Sequence, residues 1–101
     1  MKRMVCAMLI VLGGCASLLP VVTPDDVHRA EERWPGTTKA DLDAGRQVYV
    51  DRCGSCHSLH LPSERTDAQW RKAVEQMQVR AKVSSEEKEQ ILRYLAVARM
   101  R

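Results

Sequence analysis

An all-α domain is the fold class this sequence predicts, and three observations predict it. Apolar residues recur at helical spacing in four stretches between residues 24 and 98. Each stretch opens on a Ser, Thr or Asp suited to capping a helix N-terminus. No strand-like alternation, internal repeat or Gly-rich phosphate loop interrupts them. Four short helices in one domain are therefore expected, since 101 residues allow one domain at most.

The bulk numbers set a second constraint. The chain has two Trp, two Tyr and no Phe, so its core is short of large side chains. A domain this small buries proportionally little surface and usually needs a staple. The formal net charge is +3. Taking Lys2 and Arg3 from the 16 basic residues, because they lie in a leader, leaves 14 against 13 acidic ones, a net charge of +1. That balance describes a mixed solvated surface and gives no support to nucleic-acid binding.

Residues 1–14 form a targeting segment. Lys2 and Arg3 make a positive start, and Met4 to Leu12 is a nine-residue apolar run, too short to span a bilayer. Leu12-Gly13-Gly14-Cys15 resembles a bacterial lipobox. The resemblance implies cleavage before Cys15 and acylation of that cysteine, with several acyl chains giving stable membrane anchoring. The other reading is a plain secretory signal cleaved nearby. Residues 15–24 carry no charge and two prolines, and read as the lipidated cysteine and a tether.

Residues 25–40 read as a lead-in helix and turn. Thr23 is the N-cap, Pro24 sits in the first turn, and Asp25 and Asp26 lie near the positive end of the helix dipole. Val27, Ala30 and Trp34 share a face, and Pro35-Gly36 ends the helix. The main domain then spans residues 41–101. Thr38 and Asp41 form a capping box for a helix running to about Arg52, with Leu42, Gly45 and Tyr49 on one face. Thr66 or Asp67 caps a third helix, to about Arg80, whose stripe is Trp70, Ala73, Val74, Met77 and Ala81. Ser84-Ser85-Glu86-Glu87 opens the last helix, with Ile91, Tyr94, Leu95 and Ala98 as its buried stripe.

Between the second and third helices stands Cys53-Gly54-Ser55-Cys56-His57. The pattern C-x-x-C-H is the attachment signal for a c-type haem. Two thiols at this spacing can each add to a vinyl group, and the adjacent imidazole can reach the iron from one face. Three other readings compete. A thioredoxin-like redox site belongs beside a βαβ pattern, which is missing. Zinc wants four ligands, and no second cluster follows. A structural disulfide is the third. The cysteine count favours haem: Cys6 leaves with the leader, Cys15 takes lipid, and Cys53 and Cys56 take haem.

At these residues the chain resembles the class I c-type cytochromes, over roughly Leu42 to Ala98. Gly45-x-x-x-Tyr49-x-x-x-Cys53 matches the family's first-helix pattern, and Ile91-Leu92-Arg93-Tyr94-Leu95 resembles its C-terminal helix. The resemblance implies a cytochrome c-like fold around one covalently attached haem c. It implies that Gly45 allows a close helix crossing, with Tyr94 as its partner, and that Tyr49 packs beside the haem. It implies that the Leu61-Pro62 turn shapes the loop that fixes the His57 ring. The run Trp70-x-x-x-Val74-x-x-Met77 resembles the ligand helix of some small bacterial cytochrome c domains, making Met77 the candidate sixth iron ligand opposite His57. Plain core packing is the other reading of Met77, and Met100 and His28 are the next candidate ligands. His60 reads as a surface or propionate-neighbouring residue.

Electron transfer by a monohaem cytochrome in the bacterial cell envelope is the function this implies. The chain would be an electron carrier facing the periplasm, held by its lipid and meeting redox partner proteins at an exposed haem edge. Ala16, rather than an acid, follows Cys15, which leans toward the outer membrane. Arg65, Arg71 and Lys72 could decorate the partner approach. Two alternatives stand beside this. One is a haem-based sensor with an open sixth position. The other is a haem subunit fixed to a larger oxidoreductase. No residue constellation supports hydrolysis, phosphoryl transfer or nucleophilic catalysis.

Overall fold

Four α-helices make up the computed structural model, which describes residues 19–53 and 59–100. They are α1 (Pro24–Arg33), α2 (Lys39–Val48), α3 (Asp67–Met77) and α4 (Ser85–Ala98). A π-helical turn, Tyr49–Cys53, continues α2, and a 3-10 turn, Pro62–Glu64, precedes α3. Among the described residues there is no strand. None of these helices is long and apolar enough to cross a membrane. The fold class is all-α.

Every helix begins with a capping box. Thr23, Thr38, Thr66 and Ser84 each accept a hydrogen bond from the backbone N–H three residues on, and Asp26, Asp41, Gln69 and Glu87 answer to the cap's own N–H. Two of the orphan amide donors at each helix start are thus satisfied by residues adjacent in sequence. The helix starts therefore follow from local chemistry alone.

α4 is the central element. It packs against α2 most extensively, and also against α3 and α1. Ile91, Tyr94, Leu95 and Ala98 are buried, as its spacing predicts, and so are Leu92, Ala96 and Val97. Because neighbours cover it on more than one side, its buried surface is wider than one stripe. Leu42 and Ala30 meet it from α2 and α1 as part of one core, with Val27 and Trp34 partly buried against that core.

The α2–α4 crossing is close because Gly45 has no side chain. A Cβ on Gly45 would overlap the carbonyl of Gln90 and crowd the backbone nitrogen of Ile91. Glycine inside a helix costs about 1 kcal/mol relative to alanine, and backbone approach is what it gains here. The atoms that a Gly45 side chain would strike belong to α4, the helix expected to cross there. Tyr94 is fully buried and donates its hydroxyl to the Pro20 carbonyl at 2.6 Å.

Residues 19–24 were expected to form part of a tether, yet Leu19 and Val22 are only 2% and 8% exposed and join the core. Arg46 donates to the Pro20 carbonyl at 3.1 Å and to the Leu19 carbonyl at 3.2 Å. The lead-in helix likewise packs on α2 and α4, so one unit extends from Leu19 onward.

Two helix ends also differ from expectation. α2 leaves α-geometry at Val48 rather than continuing to Arg52, and Tyr49–Cys53 is wound as a π-turn. α3 stops at Met77 rather than Arg80. The chain then turns through 78–82, with Lys82 at φ 54°, a left-handed conformation of the kind that ends helices. Arg52 reaches across from the π-turn and donates to the carbonyls of Ala81 at 3.2 Å and Lys82 at 2.6 Å. Arg52 thus pins the turn that follows α3, while the α3 end itself is closed by the turn's own amides, the Ala81 N–H donating to the Met77 carbonyl at 2.8 Å.

Candidate functional site

The π-turn delivers Cys53 to the edge of a cleft of about 240 Å³. Tyr49, Cys53, Leu59, Trp70, Ala73, Val74 and Met77 line it, with His60 and Arg65 supplying the polar lining. Four residues picked from the sequence, Tyr49, Cys53, Trp70 and Met77, therefore share one site. π-turns recur at functional positions because they re-aim the residues that follow.

The cleft wall is held rigid from behind. The Tyr49 and Trp70 rings meet edge to face, with centroids 5.7 Å apart and planes at 88°. The Trp70 indole N–H donates to the Pro62 carbonyl at 2.8 Å, in a buried bond that ties α3 to the 3-10 turn. The Tyr49 hydroxyl donates to the His60 carbonyl at 2.7 Å. Pro62 is buried, and in this way it positions Trp70 as well as shaping its own turn.

The electrostatics are those of an apolar pocket. Burial pushes the Cys53 thiol above the usual cysteine range, so it stays protonated at neutral pH. Burial, followed by the neighbouring Cys53, pushes the Tyr49 phenol well above its ordinary value. Tyr49 is thus a neutral hydrogen-bond donor here. The Arg65 guanidinium lies 5.0 Å from the Trp70 ring centroid, so a cation stands beside an otherwise apolar wall.

Met77 does not fill the core. Trp70 and Val74 on the same stripe are buried, while Met77 at the last position of α3 is 43% exposed. A thioether left on a cleft wall has a lone pair free for a ligand, which a packed one does not.

Other expected residues lie elsewhere. His28 is on the surface facing Glu32 at 3.7 Å, and Met100 is 60% exposed near the end of the chain; neither lines the cleft. His60 is exposed and pairs through Nδ1 with Glu64 at 3.0 Å. Of the three cations expected at the partner approach, Arg65 alone lines the cleft. Arg71 pairs with Glu89 at 3.3 Å, and Lys72 is exposed. Cys15, Cys56 and His57 lie outside the described residues. Among the described residues no group of three His, Cys, Asp or Glu could hold a metal.

No protein-family model, curated protein or solved structure matches this chain. The reading of the site rests on its own chemistry. A flat, largely apolar ring system needs apolar walls, and Tyr49, Leu59, Trp70, Ala73 and Val74 provide them. It needs a thiol at the rim for a covalent link, and Cys53 provides one. A thioether on α3, Met77, can act as a soft donor, and Arg65 supplies a cation for acidic groups. The described lining thus offers apolar walls, one thiol, one thioether and one cation. Leu59 and Arg65 are the lining residues that motif and periodicity did not single out for the cavity. Arg52 and Arg46 are missed in the same way, because their partners are remote backbone carbonyls.

Proposed function

We propose that this chain is a monohaem c-type cytochrome that transfers electrons in the bacterial cell envelope, anchored to a membrane through lipid on Cys15. The observation that carries this reading is the shared cleft: the first cysteine of the C-x-x-C-H motif and the methionine twenty residues past its histidine line the same apolar cavity. Cys53 and Cys56 would hold the haem by thioether links, and His57 and Met77 would be the protein's donors to its iron. The bound haem supplies reversible one-electron chemistry at its iron. Trp70, Val74 and Tyr49 exclude water from one side of the site, which favours the less charged state and raises the potential. The Tyr49–His60 and Trp70–Pro62 bonds hold the cleft walls still, so little reorganisation accompanies a change of charge. Arg65 meets acidic groups at the rim.

A second reading has one observation in its favour. Met77 sits half-exposed at the end of a helix that stops early, which suits a displaceable ligand and hence binding of a small gas at the sixth position. The test of the first reading is expression of the full chain in cells with a working cytochrome c maturation system. A haem that stays attached through denaturing electrophoresis, and that is lost in the Cys53→Ser, Cys56→Ser double variant, is the expected result. A protein free of haem after such expression contradicts it.

A further inference from the structure

The segment after the proposed lipid anchor is bolted to the domain, and this changes how the domain meets the membrane. Leu19 and Val22 are buried in the core. The Leu19 and Pro20 carbonyls accept hydrogen bonds from Arg46 on α2, and Pro20 also accepts from the buried Tyr94 hydroxyl on α4. Three hydrogen bonds and two apolar side chains thus clamp a stretch that composition alone reads as linker. We infer that residues 19–22 are a strap that holds the lipid-anchored domain flush against the bilayer surface. The inference rests on the lipid-anchor reading of Cys15.

Chain length gives the size of the effect. A free tether from Cys15 to Pro24 would reach roughly 30 Å when extended, at about 3.4 Å per residue. With the strap closed, the contour from Cys15 to Leu19 is at most about 14 Å by the same measure. The face that carries the strap, where α2 meets α4, is turned toward the lipid headgroups. Redox partners of this domain would be membrane proteins, or proteins held at the same surface, rather than ones reached across the compartment.

Two independent measurements test this with the full chain. Leu19→Ser should lower the unfolding midpoint by roughly 10 °C, the effect of emptying a buried leucine site in a domain this small. A change within error would show that the strap is not part of the fold and would overturn the inference. Neutron reflectometry of the lipidated protein on a supported phosphatidylethanolamine–phosphatidylglycerol bilayer should then place a dense protein layer directly on the headgroups. Inserting ten Gly/Ser residues after Ser17 lengthens the leash and leaves the strap untouched. The insertion should open a hydrated gap of about 17 Å, the mean span of such a linker. Identical profiles for the two proteins would overturn the inference. Intact mass separates the two readings. Absence of the acyl groups on Cys15 would overturn the anchor and the membrane placement with it. An acylated protein that stands off the bilayer would overturn the strap alone.

Discussion

The α2–α4 crossing and the Cys53–Met77 cleft lie in the same small domain and are finished to different degrees. At the crossing, protein meets protein with nothing left over: Gly45 admits the Gln90 backbone, and Leu42, Ile91 and Leu95 are fully covered. At the cleft, an apolar wall of Tyr49, Trp70 and Val74 faces an open volume of about 240 Å³, with Met77 43% exposed at its edge. A domain with few aromatics gains by closing every apolar surface it can, so a wall left open marks where something other than the chain belongs. Stability is concentrated in the first region, and the proposed function is placed in the second.

The largest break in that contrast is expected at Gly45. Gly45→Ala puts a methyl group into the Gln90 carbonyl, where backbone faces backbone and neither side can rotate away. A loss of about 3 kcal/mol or more is expected from such overpacking, read from the urea midpoint. A loss below about 1 kcal/mol would mean that the two helices separate easily and that the crossing is not the stable half. Next comes Trp70→Phe, which keeps most of the ring but leaves the buried Pro62 carbonyl without its indole donor. A cost of about 1–2 kcal/mol is expected, together with a looser cleft. The thiol-modification rate of Cys53 in the haem-free protein, compared with wild type, measures that loosening.

Met77→Ala should sharpen the contrast from the other side. In the haem-free chain it should cost less than about 1 kcal/mol, since nearly half the side chain is already in water. A loss of several kcal/mol would return Met77 to the core.

The smallest expected effect is a pH dependence. Hydrogen bonds from the backbone and hydroxyl of Thr38 hold the Asp41 carboxyl below its usual range, and the Ser84 backbone N–H does the same for Glu87. A carboxyl whose pKa is lowered by folding contributes stability that is fully present above its unfolded pKa, about 4, and is lost as pH falls through the lower folded value. Acid destabilisation of the α2 and α4 starts should therefore set in below about pH 4. In Asp41→Asn the slope of stability against pH in that range should be shallower than in wild type. An unchanged slope would contradict the assignment.

What the sequence made legible was local. Four helix starts could be read because each cap and its partner lie three residues apart. Spacing puts Tyr49 and Cys53 on one helical face and Trp70 and Met77 on another, and it was the resemblance, not the spacing, that implied the two faces meet at one site. What could not be read depends on distant contacts. The end of α2 is set by the π-turn, and the turn after α3 is pinned by Arg52 at the 81–82 carbonyls. The strap looked like a linker because Leu19 and Val22 are too few to show a period, and their hydrogen-bond partners, Arg46 and Tyr94, are remote in sequence. Gly45 was recognised as a close-approach site, yet the Gln90 carbonyl it faces could not be read, because spacing within two helices does not fix their register against each other.

The most direct test of the central claim is the visible spectrum of the full chain after expression with cytochrome c maturation, taken oxidised, reduced, and reduced under carbon monoxide, for wild type and Met77→Ala. The account predicts a low-spin haem c in wild type, with a weak red sulfur-to-iron band in the oxidised form and no change under carbon monoxide. In the variant that band should vanish and carbon monoxide should bind. A wild-type haem that takes up carbon monoxide readily and lacks the sulfur band would contradict Met77 ligation and would favour the small-ligand sensor. A spectrum without haem would contradict the account altogether.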